Sequence, residues 1–195
     1  MRAVNIAAAV FIALAAAACK QAPEEQGPRY TATPPRQQIP TYRLAVNPLH
    51  NPEKLSQSHQ PLIDYLNAQL SRARLELEAS RDFGAFEDKI RARAPDFLRP
   101  NPWQTLQAMK AGYRVIAMAG APEDFTGIFI VRRDGNIRLP ADLKGKAVSY
   151  PSPTAVAACI MQQYFLHEHG VNVNTEIENR YVGSQESSIM NVYLG

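Results

Sequence analysis

The stretch Lys146 to Leu166 (KAVSYPSPTAVAACIMQQYFL) sets two hydroxyls, Ser152 and Thr154, in a turn between a strand-like run ending at Tyr150 and an apolar helical pattern. Ser152 suits a helix N-cap and Pro153 the first helical position. The first N–H groups of a helix have no partner within it, so two hydroxyls beside them make an anion site. Capping alone also accounts for Ser152, and both readings stand at this stage. A second stretch, Val182 to Met190 (VGSQESSIM), puts Ser184 at a cap and Gln185 and Glu186 in the first helical turn. Glu186 suits the positive helix end, and its carboxylate can also accept a hydrogen bond from a protonated ligand oxygen. A third, DFLRPNPWQ, presents Arg99, Asn101 and Trp103 from a proline-stiffened loop. A fourth, NPLHNP, presents His50 and Asn51. The candidate ligand-binding set is therefore His50, Asn101, Tyr150, Ser152, Thr154, Gln185 and Glu186.

The chemistry these types support is reversible binding of a small oxyanion. No nucleophile meets a base and an orienting group, and no G-x-S-x-G, P-loop or H-E-x-x-H pattern occurs. His167 and His169 are two apart, which is wrong for a shared helical face and a metal. Neither a catalytic residue nor a metal or organic cofactor is expected.

Positioning these loops requires strands that share one edge. Strand-like runs fall at Thr41–Val46, Arg74–Ala79, Asp96–Leu98, Tyr113–Ala119, Thr126–Arg132, Lys146–Tyr150 and Glu176–Val182. Helical spacing covers Leu55–Leu70, Phe83–Arg93, Pro102–Gly112, Thr154–His169 and Ser184–Leu194. In the first helix Leu62, Ile63, Leu66 and Leu70 share a face. Tyr113–Ala119 (YRVIAMA) reads as a buried strand. Asp134-Gly135-Asn136 signals a turn and Pro140–Lys144 a single helical turn. The alternation predicts an α/β fold with a mainly parallel sheet, whose C-terminal strand edge gathers the candidate loops. A hinge-like boundary at Gly120–Asp124 divides a first lobe, 41–122, from a second, 123–195.

The N-terminus has Arg2, an apolar run from Ala3 to Ala18 and then Cys19. This reads as an export signal, 1–18, with Cys19 at the first mature position, where bacterial lipoproteins carry their lipid. Secretion with cleavage after Ala18 and no lipid is the simpler alternative. The run falls short of the roughly 20 apolar residues of a spanning helix. Residues 19–40, rich in Pro, Gln, Glu and Thr, read as a flexible tether. Of the chain, 46% is apolar, as in an ordinary globular protein. Its 21 basic and 18 acidic residues give +3, or +2 without Arg2, too weak for a nucleic-acid surface. With Cys19 lipidated, Cys159 has no partner, and its apolar helical setting predicts a buried, inert thiol.

In order, YRLAVNPLHNPEKL, SRDFGAFEDKI, DFLRPNPWQTLQA, GKAVSYPSPTA and YVGSQESSIM resemble the phosphate/phosphite/phosphonate ABC-transporter substrate-binding proteins (PhnD-like) over Thr41 to Gly195. The resemblance implies a two-lobed class II periplasmic-binding-protein architecture. Ligand would lie in the inter-lobe cleft and pass to an ABC permease and ATPase complex. The family's Ser-Thr-Ser-Gly oxyanion turn corresponds to Ser152-Pro153-Thr154-Ala155. Its Gly-His-Glu element corresponds to Ser184-Gln185-Glu186, with Gln185 at the histidine position. Ser152 and Thr154 would then donate to the oxyanion. Gln185 and Glu186 would read its protonation or substituent, and Asn101 and His50 would close from the first lobe. Members continue past this length to complete the second lobe and cross back, so a truncated second lobe is implied here. The implied location is the periplasm or cell surface, anchored through Cys19. Two rival readings are a sensory module serving a membrane sensor kinase and an enzyme on a small metabolite in the same cleft.

Overall fold

A computed structural model describes residues 39–195. The expected signal peptide, the lipid attachment at Cys19 and the tether as far as residue 38 lie outside the described residues. Among those described, no helix is long and apolar enough to cross a membrane.

The first half is a three-stranded parallel sheet in the order β2-β1-β3. The strands are β1 (Thr41–Val46), β2 (Arg74–Glu78) and β3 (Phe97–Arg99). Between them run α1 (Pro52–Gln69) and α2 (Phe83–Arg91), and α3 (Pro102–Lys110) follows β3. Strand β1 is central, pairing Leu44 with Leu77 on one side and with Phe97 on the other. Its last residues, Ala45 and Val46, are fully buried. Phe86 and Ile90 of α2 and Ala108 of α3 close over Ala45, with Leu98 and Tyr113 at the margin. The i, i+3, i+4 spacing of Phe83, Phe86 and Ile90 thus becomes the face that covers the sheet.

Each helix of the first half starts on a side chain that satisfies a free N–H. Asn51 accepts from Lys54 N at 3.0 Å and Asp82 from Ala85 N at 2.8 Å. Asn101 and Gln104 form a reciprocal capping box. At the other end of α1, Asn67 grips the outer strand. Its Nδ2 donates to Leu75 O at 2.9 Å, and its Oδ1 accepts from Leu75 N at 2.7 Å. Helix α1 buries Leu55 and Ile63, while Leu62 and Leu70, expected on the same face, are exposed. The sheet it covers is narrow, so only a thin stripe is hidden.

The second half holds a parallel pair, β4 (Ala147–Tyr150) and β5 (Glu178–Tyr181), with Tyr150 opposite Tyr181. A 3₁₀ turn at Pro140–Leu143 precedes β4, matching the helical turn read from sequence. The helix expected from Thr154 starts later and differently. A wide π-helical turn, Val156–Ile160, leads into α4 (Met161–Glu168). Helix α5 (Gln185–Leu194) follows β5. Leu143, Leu166, Val171 and Ile177 form the core, with Phe129 and Ile137 against it. A further cluster spans the halves: Phe83, the first residue of α2, packs on Tyr150, Ala155 and Cys159.

Two expected strands are absent. Tyr113–Ala119 is irregular, and Ile116 and Met118 are 81% and 75% exposed. Thr126–Arg132 keeps a strand's alternation without forming one: Phe129 turns inward onto Phe165 at 5.9 Å, while Ile128 and Ile130 turn out. Apolar composition suggested burial, but a strand needs a neighbour for its backbone groups, and none of the described residues supplies it. Gly127 has a steric role. A Cβ there would stand 2.2 Å from Ala157 O and 2.1 Å from Gln162 Nε2, so the segment lies directly against the π-turn.

Candidate functional site

Parallel strands in each sheet bring the candidate loops to one edge. Asn47 follows β1, Ser80 lies just past β2, Asn101 just past β3, Tyr150 ends β4 and Ser184 lies just past β5. Asn47, Ser80 and Tyr150 are buried, and their Oδ1, Oγ and hydroxyl oxygen have no hydrogen-bond partner. Buried polar atoms left unpaired are costly, and their gathering at strand ends marks a place built for something besides packing.

The Ser152–Thr154 turn is the best-built part. Ser152 does not cap the helix as expected, because the chain turns through Ala155 before the first helical residue. Its hydroxyl instead accepts from Thr154 N at 3.2 Å and lies 2.9 Å from Thr154 Oγ1. Thr154 in turn donates to Glu87 Oε1 at 2.6 Å, across a separation of 67 residues. Thr154 has a single proton, so Ser152 must be the donor in their mutual bond. Both hydroxyl protons therefore run in sequence toward Glu87. Gln104, fully buried, donates to the same Glu87 oxygen at 3.3 Å. Asn101 Nδ2 donates to Thr154 O at 3.0 Å, while its Oδ1 accepts from Gln104 N. Beyond the turn, the N–H groups of Val156, Ala157 and Ala158 meet no acceptor among the described residues.

A second link joins the halves. His50 Nδ1 lies 2.8 Å from Glu186 Oε1, and Glu186 Oε2 is buried without a partner. Burial pushes the Glu186 carboxyl up. The backbone N–H at its own position, the His50 hydrogen bond and the charges of His50 and Lys54 outweigh this and hold it below the usual carboxylate range. Ser184 caps α5 as expected, accepting from Ser187 N at 3.0 Å.

Tyr150 is 1% exposed and stacks, tilted, on Tyr181 at 6.0 Å. Burial raises its phenol well above the ordinary tyrosine value, and Cys159 and Tyr181 add to this. Gln163 is near enough to ease it but not in hydrogen-bond geometry. Cys159 is buried, and burial pushes its thiol up to about 11.

The structure thus brings Ser152, Thr154 and Asn101 into one group, and His50 and Glu186 into another. Gln185 is half-buried and makes no side-chain hydrogen bond among the described residues. The histidine that meets Glu186 comes from the first half, not from position 185. Glu87 and Gln104 were missed by the sequence reading. Glu87 stands four residues after Phe83, on the buried side of α2, and a carboxylate there is a legible signal. Among the described residues, no three His, Cys, Asp or Glu side chains are grouped as a metal would need. Two open cavities of about 350 and 380 Å³ lie elsewhere, beside Ile130 and Tyr193 and beside Lys144 and Glu176.

The fold is that of known transport receptors. It resembles a binding protein component of an ABC phosphonate transporter from Pseudomonas aeruginosa, with TM-score 0.62 and 13% identity, over 80% of this chain and 54% of that one. It also resembles PhnD1 from Prochlorococcus marinus, solved in complex with methylphosphonate, with TM-score 0.62 and 17% identity, over 80% of this chain and 60% of that one. The chain therefore spans less than two thirds of either solved chain. No curated protein matches it in sequence. The model for the periplasmic phosphonate-binding component of ABC transporters matches residues 44–195, so both sheets from Leu44 onward, the hydroxyl turn and the His50–Glu186 link lie within one family's pattern. By that match the chain belongs to the ABC-transporter phosphonate periplasmic substrate-binding proteins, a family of transport receptors rather than enzymes.

Proposed function

We propose that this chain is the solute-binding receptor of an ABC importer for a phosphate-like or phosphonate-like oxyanion. The ligand is received at the Ser152–Thr154 turn, between the two sheets, and passed to a membrane permease and its ATPase. Cys19 carries the lipid that holds the receptor at the periplasmic membrane face. The observation that supports this best is the turn itself: two hydroxyls beside free helix N–H groups at Val156–Ala158, placed against the first half by Asn101 and Glu87. Tyr150, His50, Gln185 and Glu186 complete the lining.

A calorimetric titration of the full chain in detergent with phosphate, phosphite, methylphosphonate and sulfate tests the reading. Saturable binding of a phosphorus oxyanion, lost in Thr154→Val, is the expected result. Heat of dilution alone with all four would refute the assignment. Metabolic labelling with a radioactive fatty acid tests Cys19: label is expected in the wild type and absent from Cys19→Ser.

A further inference from the structure

We propose that Glu87 is the charge selector of this site, favouring oxyanions that still carry a proton over those that carry none. This rests on the receptor reading above. Glu87 Oε1 is held from two sides, by Thr154 at 2.6 Å and Gln104 at 3.3 Å. Its Oε2 makes no hydrogen bond and Glu87 has no ion-pair partner among the described residues, and the side chain is half-buried. The site therefore contains a negative charge anchored through one oxygen, whose other oxygen can only accept. An oxyanion without a proton meets repulsion there. One that keeps an O–H can donate to Oε2 and turn the same carboxylate into a contact.

The arrangement also limits what the turn can offer. The donor sequence from Thr154 N through Ser152 and Thr154 ends on Glu87, so the two hydroxyl protons already have an acceptor. A ligand that takes them must compensate the carboxylate, and a ligand proton does so. The unpartnered hydroxyl of Tyr150, two residues before the turn and nine-tenths or more buried, independently marks the place as one that lacks a polar partner.

The test compares methylphosphonate with sulfate at mildly acidic pH, where the first keeps a proton and the second does not. Calorimetry is run on the full chain in detergent, as wild type, Glu87→Gln and Glu87→Met, each first checked for a cooperative thermal transition. The second charge-free variant covers a failure of the first to fold. Glu87→Asp, which keeps the charge, is the control. The wild type is expected to prefer methylphosphonate, and loss of the charge to cut that preference about tenfold, the size of one charge-assisted hydrogen bond. Glu87→Asp is expected to keep most of it. An unchanged preference in the charge-free variants overturns the selector and leaves the receptor reading intact. Binding of neither anion by any variant overturns the receptor reading, and the selector with it.

Discussion

Thr154 and Glu87 join the two halves of this protein through one short hydrogen bond, 2.6 Å from hydroxyl to carboxylate oxygen. The threonine belongs to the turn after β4 and the glutamate to the helix between β2 and β3. Their contact holds the hydroxyl turn against the first sheet. Thr154→Val removes the only hydroxyl among the described residues that reaches Glu87. It should cost about 1–2 kcal/mol of stability, because a partly buried carboxylate loses its best donor. Ser152→Ala, one step further from the charge, should cost less. Thermal unfolding of the two variants side by side checks the order, and a larger loss for Ser152→Ala would contradict it.

The His50–Glu186 link should make stability depend on pH in the acid range. Glu186 is held below the usual carboxylate range in the folded protein. Its contribution is therefore full above the ordinary glutamate value and disappears as pH falls through the lowered one. The difference in melting temperature between wild type and Glu186→Gln should be positive near neutrality and shrink toward zero in acid. A difference that grows in acid would reverse the sign and refute the link. Because the pair is about one third exposed, the effect should weaken with added salt.

Cys159 should be silent as a nucleophile. The residue is 1% exposed and burial raises its thiol to about 11, so little thiolate forms near neutral pH. In Cys19→Ser protein, a thiol reagent should react at native pH only after denaturant is added. Rapid labelling of the native protein would show that the cluster of Phe83, Tyr150 and Ala155 opens readily.

Backbone strain gives a stabilising substitution. Arg93, exposed just past α2, has φ +53°, in the left-handed region that disfavours side chains. Arg93→Gly should raise stability by about 1 kcal/mol. Gly112, φ +97°, should respond in the opposite sense to Ala. Gly127→Ala should be worse still, since its Cβ meets the Ala157 carbonyl oxygen, a backbone atom that cannot simply rotate away. Denaturant melts of the three variants settle the ranking.

Much of this was legible because the relevant forces are local. The Ser184 cap and the Phe83–Phe86–Ile90 stripe depend on residues within one or two helical turns, so sequence spacing reveals them. The failures came where a partner decides the outcome. YRVIAMA has the composition of a buried strand, but a strand exists only beside another. The Ser152 cap became a hydroxyl pair because the chain inserts a π-turn. A carboxylate on the buried side of α2 was legible at Glu87, but its role was not, because the partner that gives it one lies 67 positions away. The pairing of His50 with Glu186, 136 positions apart, was equally hidden, although each residue was a candidate separately.

The central claim is that an oxyanion is received at the Ser152–Thr154 turn. Its most direct test is thermal unfolding of Cys19→Ser protein and of the same protein carrying Thr154→Val, with methylphosphonate. At a hundred times its dissociation constant, a ligand of the folded state adds about 2.7 kcal/mol, a shift of several degrees. The expected result is that shift in the parent and its near disappearance with Thr154→Val. An equal shift in both proteins would place the ligand elsewhere, and no shift in either would contradict the receptor account itself.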